Sequence, residues 1–476
     1  MKNKEMYIYI EFMCFGISAI AFLFANLLQE PVWSVICLIM LCVGVAVYLI
    51  KNFSEKIGMA FYFVCMFTFL IAGAILPVLI GEENWMSNLS VNEYIVACNC
   101  LFISSISILL GERFFKKYHL SFRHSRNENS KLHESSTLSD KHFNINRVQT
   151  VAFIFFLATI IIVLIGEFQK LQFILRNGYL ASYTQYTSSS IVIRAQIINL
   201  TSWFIGLAAK PSKRRVWIYL ILGGLSPILT LAGGSRTTFA SYILFSVFYL
   251  FNYSEIKFHK TTSSKKKVRF IIIATIICLV IIVPFLYIYG FKRDGRTDFD
   301  QEASTFHNII QFFASQGSSY TLIGYAEKYK GQLPGICYSF GELIDKILGN
   351  TYAYGTVEGA LKTNRFGAIM TYILFQWNYL NLGTGVGSSY IAELYYDFGY
   401  VGVIIANFII GGILFTLVNW KRNSVLIQAM VFVIFYYMLS MPRNPLLQPF
   451  IELFNFSSIL TFILIFGMSY RKKNVI

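Results

Sequence analysis

Charge is what this sequence has least of. Only 13% of its 476 residues are Asp, Glu, Lys or Arg, while 56% are hydrophobic; a soluble domain carries about a quarter charged residues. That excludes an ordinary soluble protein and leaves a polytopic membrane protein. No CxxC pair occurs, and seven of the eight Cys (Cys14, Cys37, Cys42, Cys65, Cys98, Cys100 and Cys278) lie inside apolar runs, with Cys337 apart from them. Neither a disulfide framework nor a cysteine metal site is encoded. HExxH and GxSxG are missing too, and the one DxD, Asp298 and Asp300, has no His or Cys beside it, so no bound metal, cofactor or nucleophile elbow is expected. No small-residue cleavage site follows the opening MKNKEMYIYIEF, which therefore reads as the start of a retained span.

What is present is a series of apolar runs, each roughly 15 to 22 residues long, at 7–27, 33–50, 59–80, 94–110, 151–165, 195–209, 217–231, 238–251, 270–289, 400–418, 425–439 and 454–468. About twelve transmembrane helices follow for a ~30 Å hydrocarbon core. With the N-terminus inside, the inner segments hold 27 of the 40 Lys and Arg, which the positive-inside rule requires. Both termini are then cytoplasmic. The net charge of +16 is mostly this asymmetry, and no nucleic-acid partner is implied.

The fold expected is an all-α polytopic integral membrane protein with short interfacial or re-entrant helices in its long loop. It divides into a four-helix part (1–111), a basic polar cytoplasmic loop (112–147), central helices (148–290), a large extracytoplasmic loop between helices 9 and 10 (291–399) and three C-terminal helices (400–476). The loop at 112–147 is polar enough to be disordered. Its four His, at 119, 124, 133 and 142, are spaced irregularly and read as solvated. Within 291–399, FGAIMTYILFQWNYL (366–380) is apolar but short, and reads as an interfacial or re-entrant helix. A loop of this length is where function is expected.

Thirteen cations fall outside by this topology, several at helix ends. Arg236 lies in LTLAGGSRTTFASY, where two Gly make a tight turn and hydroxyls cap the following helix. Arg443 lies in SMPRNPLLQPF, and Lys292, Arg293 and Arg296 follow the ninth span. Arg194 is another outward cation. Together they suit a lipid phosphate or diphosphate, to which Arg offers a bidentate fork; singly, each also reads as an interfacial anchor. Glu393, in AELYYDFGYVG, stands about two turns before the tenth span, as a general base, a sugar ligand or a helix-start acid. Tyr395 and Tyr396 beside it offer stacking surfaces, and His307 is the outward His.

GGSRT (233–237), NRV (146–148), FKRDG (291–295), IAELYYDFGYVGVII (391–405) and MPRNP (441–445), in that arrangement about a long outer loop, resemble the Wzy-type polysaccharide polymerases. The resemblance covers about Asn146 to the C-terminus. It implies a membrane glycosyltransferase that moves a glycan en bloc from undecaprenyl diphosphate to the next lipid-linked repeat unit on the outer face of the bacterial plasma membrane, without a metal. A chain-length regulator is a partner by resemblance alone. On this reading Arg236 and Arg443 hold the diphosphate, Arg293 assists, Lys292, Arg296, Arg194, Tyr395 and Tyr396 contact substrate, and Glu393 or His307 takes the proton. A flippase of lipid-linked oligosaccharide and an O-antigen ligase are the alternatives; long charge-free spans and a large outer loop favour an enzyme over the flippase.

Overall fold

The apolar runs fold as helices because a bilayer offers backbone N–H and C=O groups no partner but each other. The computed structural model describes residues 2–51, 53–82, 84–129, 143–234, 236–252, 305–419 and 424–470. Among these, eight helices are long and apolar enough to cross a membrane: Glu5–Leu28, Pro31–Ile50, Glu55–Leu79, Val91–Lys117, Ile145–Asn177, Ser190–Ala208, Lys213–Ala232 and Tyr390–Leu417. The chain is a multi-pass membrane protein. Three shorter helices, Arg236–Asn252, Val425–Met438 and Phe456–Met468, fall on other expected runs. The expected ninth span at 270–289 lies outside the described residues, as do Lys292, Arg293 and Arg296. Helix starts carry side-chain acceptors: Asn144 for the N–H groups of Asn146 and Arg147, Ser189 for Val192 and Asn455 for Ser457.

One expectation changes. The helix that begins at Val91 continues to Asn129, so the stretch from Glu112, expected as a disordered loop, starts as helix. Its Glu, Arg and Lys favour helix, and three of them are tied down. Glu112 accepts from the Tyr48 hydroxyl, Arg113 pairs with Glu11 at 2.6 Å and Lys116 with Glu55 at 3.3 Å. The stretch 366–380, expected as an interfacial or re-entrant helix, is a nine-residue helix, Phe366–Leu374, then a π-turn at Asn378–Leu382. Phe366, Ala368, Ile369 and Met370 are buried, and Ala360, Ala368 and Tyr379 form a small core with Tyr372 and Leu380 packed on it. Its first half packs into the loop's own interior, while Ile373, Phe375 and Trp377 are exposed. At 1.5 Å per residue it is about 13 Å long, under half of a hydrocarbon core.

The grouping in space does not follow chain order. One unit takes the described parts of Met1–Lys116, Val268–Phe415 and Leu439–Leu447; the other takes those of Lys117–Lys267, Thr416–Met438 and Gln448–Ile476. In the first, small residues bring backbones into contact, as membrane helices require when no hydrophobic effect drives them together. A Cβ on Gly111 would stand 2.0 Å from the Phe408 carbonyl oxygen, and one on Gly411 2.1 Å from that of Ile108. Beside this crossing a polar chain runs from Tyr62 through Tyr390 to Asn407 and Ser104, with bonds of 2.9, 2.6 and 3.1 Å. In the second unit, Trp203, Phe204, Phe245 and Tyr436 form an aromatic core, and the Trp203 indole N–H donates to the Tyr219 carbonyl.

The region 305–389 is folded rather than slack. Its first helix, Thr305–Gln316, and the following turn at Gly317–Tyr320 pack on the third apolar helix, where a Cβ on Gly317 would fall 2.0 Å from the Gly73 nitrogen. Gly73 sits six residues, about 9 Å, before that helix's Leu79 end. The region therefore dips below the helix end instead of floating above it. Gly317→Ala is expected to destabilise by roughly 1–3 kcal/mol through overpacking. Gly16→Ala, where an added Cβ meets nothing within 4 Å, is expected to be neutral. Thermal unfolding in detergent, followed by size-exclusion chromatography, checks the pair; equal melting would remove the contact from the fold.

Candidate functional site

The stretch IAELYYDFG pins the loop region together. Its helix starts at Tyr390, and a non-helical residue, Gly399 (φ 60°, ψ −154°), divides residues 390–398 from the apolar remainder. The break coincides with the loop boundary expected from sequence, but the nine residues before it are helical. Three side chains within one turn then reach three different parts of the loop. The Tyr395 hydroxyl donates to Glu327 at 2.7 Å, the Tyr396 hydroxyl accepts from the Leu333 N–H at 2.9 Å, and Asp397 accepts from the N–H groups of Tyr338 and Ser339 at 3.1 and 2.6 Å. Tyr395 is buried, and Tyr396 packs edge-on against Tyr338. Both Tyr, expected as stacking surfaces for sugar, are thus engaged in holding the loop.

Asp397 also accepts from the Cys337 thiol at 3.3 Å. Burial pushes the Cys337 thiol up, and the neighbouring carboxylate adds to this against the pull of backbone hydrogen bonds. A protonated thiol is the form that donates to Asp397. The cysteine outside the spans is therefore a structural donor rather than a nucleophile.

Glu393 is the innermost of these groups, 1% exposed. Both carboxylate oxygens accept hydrogen bonds: Oε1 from the Ser388 hydroxyl at 2.6 Å and Oε2 from the Leu446 N–H at 3.0 Å. Leu446 belongs to the Pro-shaped hairpin that carries Arg443. A 3₁₀ turn at Met441–Arg443 closes it, with Arg443 N–H on the Ser440 carbonyl at 3.1 Å and the Asn444 amide on the same oxygen at 2.9 Å. The Arg443 side chain runs along Gly387, whose Cβ, if present, would lie 3.9 Å from both Cγ and Nε. Gly387 has φ +77°, which favours glycine there, and its carbonyl lies 2.2 Å from where a Gly367 Cβ would be, so Gly367 has no room for a side chain. Glu393 and Arg443, singled out separately in the sequence, are brought together around GVGSS.

The other candidates fall elsewhere. Arg236 is in the second unit and is the first residue of the helix Arg236–Asn252. Gly234, at φ +104°, makes the turn expected before it. An Arg opposes the positive end of a helix, so helix stability does not account for its presence. Arg194 is exposed in the second turn of Ser190–Ala208, and His307 is half-buried on Thr305–Gln316 in the first unit. Among the described residues no three His, Cys, Asp or Glu side chains gather as metal ligands. Sequence reading missed the roles of Ser388, Asp397 and the Leu446 N–H. The 393/397 spacing, which puts two carboxylates on one helical face, was the available signal.

These features define a class: a multi-pass membrane protein whose long inter-helix region is a folded body, with an arginine hairpin and a buried carboxylate locked to one glycine-rich segment. The chain belongs to the O-antigen polysaccharide polymerase Wzy family, whose model matches residues 6–474. No curated protein and no solved structure matches it.

Proposed function

We propose that the protein polymerises repeat units carried on undecaprenyl diphosphate at the outer face of the bacterial inner membrane. The growing glycan would move en bloc to a hydroxyl of the incoming unit. One glycosidic bond forms at the donor anomeric carbon, the bond from that carbon to the diphosphate oxygen breaks, the hydroxyl proton passes to a protein base, and lipid diphosphate leaves. Family membership supports the polymerase role. The single observation that supports the site is the Arg443 hairpin clamped by Glu393 beside Gly387. A guanidinium placed in advance stabilises the negative charge that develops on the leaving diphosphate.

Arg443 and Arg236 are each assigned to a phosphate of the lipid-linked substrate. Glu393 has both oxygens occupied, so its role is to position the Arg443 hairpin, and His307 is assigned the proton. Arg293, Lys292, Arg296 and Arg194 are assigned to the lipid-linked glycan and its phosphates. A chain-length regulator is a proposed partner.

The test is polymerisation by the purified protein in lipid, supplied with its undecaprenyl-diphosphate repeat unit and EDTA but no nucleotide sugar. A ladder of products is expected. Movement of the unit across the bilayer without a ladder would make the protein a flippase, and a single transfer to an acceptor lipid would make it a ligase.

A further inference from the structure

The eight-residue helix Gly341–Leu348 is inside out. In a helix bathed by water the apolar stripe faces the protein and the charges face solvent. Here Asp345 is the buried residue, 2% exposed, while Ile347 is 75% exposed and Leu343 and Leu348 are exposed as well. Asp345 is held inward by a full set of donors: the Asn364 N–H at 3.0 Å, the Asn364 amide at 2.9 Å and the Asn350 amide at 3.1 Å. The orientation of the helix is therefore fixed by its polar side.

Phe340, Leu343 and Ile347 are spaced i, i+3, i+7, which aligns them on one face. Ile336, just before the helix, is 75% exposed too. This apolar surface is continuous with one that faces lipid. The Phe340 ring lies 6.4 Å from that of Phe398. Phe398 is exposed just before the Gly399 break, and beyond the break Val401, Ile405 and Ile409 of the Tyr390–Leu417 membrane helix are exposed as well. Lys346 is exposed beside the apolar face, where a long side chain reaches back to lipid phosphates.

We propose that Gly341–Leu348 is an interfacial anchor, its Phe340, Leu343 and Ile347 face lying in the acyl-chain boundary of the leaflet on the loop's side of the membrane. Bulk lipid, rather than a protein partner, is the occupant, because the face adjoins the exposed apolar side chains of a membrane helix through Phe340 and Phe398. The helix lies in the plane of the bilayer, as amphipathic anchors do, about 5–10 Å into the headgroup boundary. The proposal stands whether or not the assigned chemistry is right.

The test uses the full-length protein in nanodiscs of phosphatidylethanolamine and phosphatidylglycerol, with no other protein present. A nitroxide is attached at Ile347→Cys, and separately at Leu343→Cys, after subtracting the labelling of the parent. Both positions are exposed, so neither change disturbs packing. Molecular oxygen, which partitions into lipid, is expected to relax each label at least ~3-fold more than a water-soluble nickel chelate does, as for a group at that depth. Relaxation by nickel equal to or above that by oxygen would place the face in water and overturn the proposal. Protection from both relaxants would show that protein covers the face, a second copy or another part of this chain, and would overturn it equally.

Discussion

Arg236→Ala is expected to abolish the polymer ladder, lowering turnover by at least about 10²–10³-fold, the range for removing one preorganised group that stabilises transition-state charge. The protein still inserts, and cells display single repeat units instead of chains. The residue begins its helix after a glycine turn, where a cation opposes the helix dipole, so removing it favours the helix slightly in dipole terms. Loss of activity without loss of folded protein is therefore the expected signature. Arg236→Lys is also expected to be impaired, because a point charge cannot form two parallel bonds to phosphate oxygens. Quantified ladders together with the amount of membrane-inserted protein decide this. Normal chains in the Ala variant would remove Arg236 from the mechanism, and full activity in the Lys variant would reduce it to an electrostatic anchor.

Glu393→Ala is the second large effect, and Glu393→Gln is its control. Alanine leaves the Ser388 hydroxyl and the Leu446 N–H without their acceptor in a buried place, at about 1–3 kcal/mol for each. The hairpin bearing Arg443 loses its tie. Polymerisation is expected to fail, with a fall in thermal stability. Glutamine behaves differently because a hydroxyl both donates and accepts. Its amide oxygen takes the Leu446 N–H while its amide nitrogen donates to the Ser388 oxygen, so the tie survives. A positioning role predicts that the Gln variant retains activity within roughly tenfold, whereas a general base loses about 10²–10⁴-fold when it cannot accept a proton. A Gln variant as dead as Ala yet fully folded would move Glu393 into the chemistry and release His307 from that role.

Membrane helices were legible because their signal is one-dimensional: a long apolar run needs no partner to be recognised. The turn before Arg236 was legible for a similar reason, since two adjacent Gly followed by hydroxyls act locally. What sequence hid were pairings across distance. Nothing in AELYYDFGYVG says that Glu393 meets a backbone N–H in the MPRNP hairpin. Tyr395 and Tyr396 look like sugar platforms until Glu327 and Leu333 are found against them. Phe366–Leu374 is apolar enough for an interfacial helix, and the sequence does not show that its Ala368 packs with Ala360 and Tyr379 in the loop's own interior. Gly341–Leu348 misleads in the opposite sense, since the usual reading turns its aliphatic side inward while Asp345 occupies that place.

Glu393 and Asp397 stand one helical turn apart on the same short segment, ahead of the Gly399 break. One holds the hairpin of Arg443; the other holds Cys337 to Ser339. The segment is thus a lever with two loads and its fulcrum at a glycine. Both loads hang on that one segment, so a substitution that disturbs residues 390–398 as a whole is expected to loosen the arginine hairpin and the Cys337–Ser339 turn together.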